Sequence, residues 1–564
     1  MSIHRCLTAG AAACAVLVLS DARAQVTITP VIVQGQPAPG SPGTFHAPQS
    51  PLCQAAGRIA APAFLVGTPN PGLDSQGIWS AGAGGTTLFA ILGSPVTGSG
   101  GVAIGLVSLP IQNRVGGVTA SARLNMGFST DSLILYSATG GGAQIAVREG
   151  DGAPGAPGAL FGDVGGVPDL ALNDAGRIAF VAPLTGVPAP GNRAMFTGDA
   201  AAQAYTLVAR NGDPSPTPGG GVFTFITAPS INGAGDVAFF SNLDAPPYFS
   251  LFLKPAGGPL QTAVSVGDAA PGFAANWTIT SLVGANSGPV HFNDSGVFAI
   301  SGGAAAPGGF PSSWGLWRGV PGALQLIAKR GDPAPGHPSG AHFNDFQALI
   351  NRSGGLLFYS NLDFSAQNAG VWTVFPNQAP RLLALLNDQA PEMPAGILLQ
   401  SISNGGIGLN NRAEGLINGS MNYVVNNTPA NGIFAGRPGR LRKVVASGDT
   451  LEVSPGVLRT VIECQCWTWK SPDAGGPVSI NDRGEVAFSC SFVGGGGGAF
   501  IARLPHPCPG DANADDLIGF ADLNAVLAAY NTAIGAPGFN QDADFDQDDD
   551  VDFADLNAVL AAFN

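Results

Sequence analysis

The chain has 564 residues, of which 82 are Gly and 46 Pro; 45% are hydrophobic and only 11% charged. This length exceeds one ordinary domain, and few helix formers among many Gly/Pro turns point to short strands. The net charge of −14 excludes the broad basic face that nucleic-acid binding requires.

Residues 1–24 have the layout of a signal peptide. Arg5 supplies positive charge, Ala9–Leu19 is an apolar run, and Ala22-Arg23-Ala24 offers a small-x-small cleavage site before Gln25. The run is too short to span a bilayer, and no other stretch is long and apolar enough. The expectation is a secreted protein, extracellular or at the cell surface, with no transmembrane segment. Export permits disulfides among Cys53, Cys464, Cys466, Cys490 and Cys508. A local bridge from Cys464 or Cys466 to Cys490 is one option, and the odd number leaves one thiol over.

Residues 25–504 repeat one unit. LNDAGRIAFVAPL (172–184), INGAGDVAFFSNL (231–243), INRSGGLLFYSNL (350–362) and INDRGEVAFSCSF (480–492) share N-x-x-G-x-x-x-F. With weaker copies, the Asn slots fall at 54 (a Gln), 113, 173, 232, 293, 351, 410 and 481. The spacing stays near 60 residues except in the last unit, which carries the insert ECQCWTWKSPDAGG. A second signature keeps the same period: VREGDGAPG (147–155), VSVGDAAPG (264–272) and AKRGDPAPG (328–336) are copies. Asn opens a tight turn, Gly supplies positive φ, and the following alternation predicts a half-buried strand.

Each unit therefore holds about four strands, and such units arranged in a ring make a β-propeller. The first stretch, VTITPVIVQGQPAPG, matches the fourth strand of a unit, whereas the last unit has only its first three. The prediction is a mainly β fold, an eight-bladed β-propeller closed by N- and C-terminal strands. The repeats resemble a group of exported bacterial proteins with tandem N-x-x-G-x-x-x-A-F repeats and interchangeable C-terminal anchors. That resemblance implies fold and export, not an activity.

The repeats carry no G-x-S-x-G elbow, H-E-x-x-H or P-loop. No His pair among His46, His291, His337, His342 and His506 has metal-ligand spacing on a regular element. Asp151, Asp213, Asp268, Asp332, Asp388 and Asp449 could supply paired carboxylates for glycoside chemistry. Their recurrence from unit to unit favours a turn role. Trp467 and Trp469 of the insert either stack on a sugar ring or cap the propeller rim.

After a linker at 505–510, residues 511–564 change character, with twelve Asp from Cys508 onward and no Lys or Arg. DANADDLIGFAD (511–522) and DFDQDDDVDFAD (544–555) are each followed by LNAVLAA and an aromatic residue. As twelve-residue calcium loops they place oxygens of Asp511, Asn513, Asp515 and Asp522, and of Asp544, Asp546, Asp548 and Asp555, at places 1, 3, 5 and 12. The carbonyls of Leu517 and Asp550 serve at place 7, and Asp552 stands at place 9. The expectation is two Ca²⁺ ions, one per loop. Ile518 and Val551 should pack inward. The helices should bury Leu523, Val526, Leu527 and Tyr530, then Leu556, Val559, Leu560 and Phe563.

Two such loop–helix halves, with Asp at place 12, resemble a type I dockerin. They depart from that family where Asp516 and Asp549 replace Gly at place 6. The resemblance implies a calcium-dependent module that binds a cohesin-like or cell-surface protein. The family's contact places fall on Phe520, Ala521, Phe553 and Ala554. Two functions follow: a non-enzymatic binding or surface protein anchored by this module, with a glycan as a possible ligand, or a glycan-active propeller enzyme delivered by it.

Overall fold

The computed structural model describes the chain except residues 1–3, 6–25, 56, 72–73, 125–130, 165–169, 284–288, 339, 364–368, 469, 506–509, 513–516, 534–535, 537, 539, 541–542, 546–549 and 564. The signal-peptide segment Ala9–Ala24, Trp469, Cys508, and the loop residues Asn513, Asp515, Asp516, Asp546, Asp548 and Asp549 lie outside the described residues.

Among the described residues, eight antiparallel sheets of four or five strands follow one another along the chain, the first seven each formed by one repeat. The first blade is Thr44–Pro48, Arg58–Val66, Gln76–Gly82 and Gly85–Ile91, paired in that order. The eighth is assembled from both ends of the repeat region. Thr27–Val33 pairs with Gly497–Arg503 from Thr27 opposite Arg503 to Val33 opposite Gly498, supplying the missing outer strand. The ring is thus closed as the partial units at either end predict.

The core lies between blades rather than within them. One cluster joins Ile59, Ala61 and Trp79 of the first blade to Ile32, Ala487 and Ala499 of the eighth. This corrects the half-buried strand expected from alternation. Ile178 to Ala182 are all buried, because the second strand of a blade is covered on both faces by its neighbours. The second signature also packs across the blade. Trp79, Trp317 and Trp372 donate their indole N–H to the carbonyls of Pro39, Pro271 and Pro335 at 2.9–3.0 Å. The Gly after each proline has positive φ, and a Cβ at Gly272 would lie 2.5 Å from Leu326.

The repeated Asn does more than open a turn. Its Oδ1 accepts the N–H four residues on, as from Gly117, Arg177, Asp236 and Val297. Its Nδ2 donates to the next blade's Asn carbonyl: 113 to 173 at 2.9 Å, 173 to 232 at 3.0 Å, 232 to 293 at 3.1 Å and 293 to 351 at 3.0 Å. The series continues from 351 to 410 at 3.4 Å and from 410 to 481 at 2.9 Å, and Asn481 reaches the Ala55 carbonyl at 3.3 Å. Gln112 Oε1 closes the ring by accepting the N–H groups of Gln54 and Ala55. These side chains are buried, so each unmade bond would leave a desolvated amide.

Two helices follow the propeller, α1 (Phe520–Ala529) and α2 (Phe553–Ala562). They share a small core of Val526, Ala529, Val551 and Val559, with Leu523 and Leu556 packed against it. Ile518 and Val551 are buried, as expected. Leu527 and Leu560 are not: they are 51% and 48% exposed, and Tyr530 is only half-buried. Two ten-residue helices that pack on each other cover only a narrow stripe, and Ala529 takes the covered place. No described helix is long and apolar enough to cross a membrane.

Candidate functional site

The strand before each repeated Asn lines the propeller axis, and the insert of the eighth blade fills that axis. Sugar stacking and rim capping, the alternatives for Trp467 and Trp469, do not anticipate that residues 470–476 of the insert occupy the axis. Residues 470–476 are buried throughout. They reach every other blade. Gln54 Nε2 donates to the Pro472 carbonyl at 2.8 Å, and Arg114 to the same oxygen at 3.3 Å. Leu172 and Ile231 donate their N–H groups to the carbonyls of Gly475 and Ala474. Ser471 Oγ lies 3.3 Å from His291 Nδ1 and accepts the Ile350 N–H at 2.8 Å. Asn411 Nδ2 donates to Asp473 at 2.9 Å. Lys470 Nζ donates to the Pro229 carbonyl at 2.6 Å.

Around the plug, six of the residues that follow the Asn slots, Arg114, Asp174, Asp294, Arg352, Asn411 and Asp482, form a second polar layer. Arg114 pairs with Asp174 and Asp482, both at 2.9 Å, and with Asp473. Burial would raise the Asp482 carboxyl, but Arg114 and the Asn411 hydrogen bonds outweigh it and hold it low. Asp294 moves the other way, pushed up by burial and by Asp473. His291, half-buried beside Lys470, is pushed down to about 4, mainly by burial. The axis at this end is therefore a filled polar core. Sequence reasoning missed it because the insert's partners are scattered over seven other repeats; its departure from the period was the available signal.

The Gly-Asp turns are structural where their bonds are defined. Asp268, Asp332 and Asp449 accept the N–H three residues earlier, at 2.7, 2.9 and 2.8 Å. Asp213 pairs with Arg210 at 2.8 Å. His342 pairs with Asp363 at 2.9 Å on an exposed loop.

An open cleft of about 500 Å³ lies at the seam between the eighth and first blades. Glu463 and Gln465 of the eighth blade's inner strand form one wall, and His46 and Gln49 of the first blade form another. Leu109 reaches in from the second blade, and Trp467, where the plug begins, borders the cleft. Trp467 is half-buried, held through its main chain by Ser479 at 2.8 and 2.6 Å. Cys490 also borders the cleft; burial raises its thiol well above the ordinary value.

In the C-terminal module, one carboxylate oxygen each from Asp550, Asp552 and Asp555 lies within 4.8 Å of the other two. Asp555 Oδ1 accepts the Phe545 N–H at 2.5 Å and its Oδ2 accepts the Asp552 N–H at 2.9 Å, so the loop's start and end are drawn together. Asp522 repeats the second contact, accepting from Gly519 at 2.8 Å. Asp544 is buried beside them in the chain. The backbone strand Leu517–Ile518 stands immediately before α1, as Asp550–Val551 does before α2. Asp511, also buried, pairs with Arg440 of the seventh blade at 3.2 Å. Phe520 and Phe553 are 56% and 61% exposed, and Ala521 and Ala554 are exposed beside them.

The signature of the family described as "Family of unknown function (DUF7453)" matches residues 19–137, 128–434 and 417–509. No curated protein matches the chain. Among solved structures, the oligogalacturonate lyase of Vibrio parahaemolyticus is similar at 10% identity and a TM-score of 0.34, over 73% of this chain and 96% of that one. The β-propeller domain of the trilobed protease of Pyrococcus furiosus is similar at 9% identity and a TM-score of 0.35, over 72% of this chain and all of that one (100%). Dipeptidyl peptidase 4 of Porphyromonas gingivalis is similar at 8% identity and a TM-score of 0.38, over 80% of this chain and 58% of that one.

Proposed function

The chain belongs to the DUF7453 family, a family of unknown function, and we propose that it is an exported, non-enzymatic binding protein held at a surface by a calcium-dependent C-terminal module. The observation that carries this reading is the convergence of Asp550, Asp552 and Asp555 where the second acidic loop enters α2. Carboxylate oxygens in a short loop are the donors a hard divalent cation takes. Asp544 and Asp555, with the Asp550 carbonyl or carboxylate, would hold one ion, and Asp511 and Asp522 would contribute to a second. Bound calcium would neutralise the crowded acid and fix both loops on their helices.

The docking face in this reading is the duplicated pair Phe520-Ala521 and Phe553-Ala554, which the helices leave exposed. Its occupant is a cohesin-like protein. Binding rather than hydrolysis is supported by the Gly-Asp carboxylates, which are engaged in their own turns.

Calorimetric titration of the full chain with Ca²⁺ should show two bound ions. Asp555→Ala should lose the ion of the 544–555 loop and keep the other. A chelator should unfold the two helices and leave the propeller's β-sheet circular dichroism unchanged. Identical helical signal with calcium and with chelator would sink the reading.

A further inference from the structure

We propose that the seam cleft binds an uncharged polysaccharide, with Trp467 as the surface on which a sugar ring stacks. The inference rests on reading the propeller as the ligand-binding part of the protein. The cleft's volume of about 500 Å³ falls within the range of small-ligand sites, ~300–1,000 Å³. Its chemistry narrows the ligand further. No Lys or Arg is among the described residues lining it, so a phosphate, nucleotide or acidic sugar would meet no fixed counter-charge. Glu463 is the one carboxylate among them, too little for a divalent cation.

What remains is a wall of amides and hydroxyls. Gln49 and Gln465 each carry both a donor and an acceptor, as sugar hydroxyls do. Gln465 Nε2 donates to Glu463 Oε1 at 2.8 Å, which sets these two side chains next to each other in the wall. Trp467 and Leu109 add apolar surface for the C–H faces of a ring, and Leu109 is 53% exposed. Glycoside hydrolysis uses two carboxylates. With Glu463 alone, the cleft is furnished to hold a glycan rather than cleave it.

The test is affinity electrophoresis of the full chain in gels containing dextran, galactomannan or mixed-linkage β-glucan, with polygalacturonate as the anionic comparison. At least one neutral polymer should retard the protein, and polygalacturonate should not. Trp467→Ala should weaken retardation at least tenfold, and Glu463→Gln and Gln465→Ala severalfold. The last two alter side chains at the cleft's edge, so they keep the test valid if Trp467→Ala does not fold. No retardation by any neutral polymer, retardation by polygalacturonate alone, or equal retardation of wild type and all three variants would overturn the proposal. Retardation that persists in chelator, beside a module that takes up no calcium, would leave this inference standing and remove the anchoring one. Calcium uptake without retardation would do the reverse.

Discussion

Asn293 uses both ends of its amide. Oδ1 accepts from Ser295 and Val297, and Nδ2 donates to the carbonyls of Asn351 and Arg352, all at 3.0 Å. Asn293→Ala should cost about 2–3 kcal/mol in chemical denaturation, since it strands buried backbone groups on two blades at once. The turn half of this role was legible in N-x-x-G, because its partners lie within four residues. The inter-blade half was not, because its partner is a whole repeat away. Ala413 shows the same turn without its glycine, held at φ 63° where the other copies place Gly. His291 gives the axis a pH signature. An unfolded histidine takes up a proton near pH 6.5, whereas the folded one resists until about 4. Between those values the unfolded chain binds more protons, so stability should fall as pH drops through the window, by about 3 kcal/mol in full. His291→Gln should shrink the difference between denaturation midpoints at pH 7 and pH 4.5; an unchanged difference would place the acid sensitivity elsewhere.

At the level of strands and helices, register decides a choice the sequence left open. Cys464 stands directly opposite Cys490 in the eighth blade, and all four described cysteines are thiols. The main-chain N–H and carbonyl of Cys464 both bond to Asn431, so they point away from the Cys490 strand. A non-hydrogen-bonded antiparallel pair brings Cα atoms to about 4.5 Å, inside the range a disulfide spans. Peptide mapping of protein recovered from an oxidising compartment should therefore find Cys464 joined to Cys490, with Cys466 free. A Cys466–Cys490 bridge would refute the register argument. The helices teach the opposite lesson. Their i, i+3, i+4, i+7 pattern marks an apolar face but not how much of it a partner covers. Val526 and Val559 are buried, and Leu527 and Leu560 are left in solvent. The pairing of each acidic stretch with a following helix was legible from the duplicated sequence, because both lie within one short local segment.

Across the whole molecule, the repeat period predicted both the ring and its closure, because seven blades are each built from contiguous sequence and the eighth from the two partial units at either end of the repeats. The plug was opaque for the complementary reason: the short irregular stretch of residues 470–476 touches all the other blades, and no local pattern encodes that. The closing strand can be tested directly. Removing Thr27–Val33 leaves the edge of Gly497–Arg503 unpaired, and exposed sheet edges recruit other chains. The truncated protein should elute as dimers or larger species in size-exclusion chromatography; a monomer with unchanged melting would show the strand to be dispensable.

The same seam sets an order of assembly. A chain that emerges N-terminus first presents Thr27–Val33 at the outset, yet its partner strand ends at Arg503. Contacts of such long sequence separation form slowly, because loop closure must precede any reward. Seven blades can stack in turn as they appear, but the eighth brings the axial plug and the closing pair together. A translocated chain would therefore complete its ring only after the whole repeat region had crossed, and the first strand delivered would be among the last to find its place.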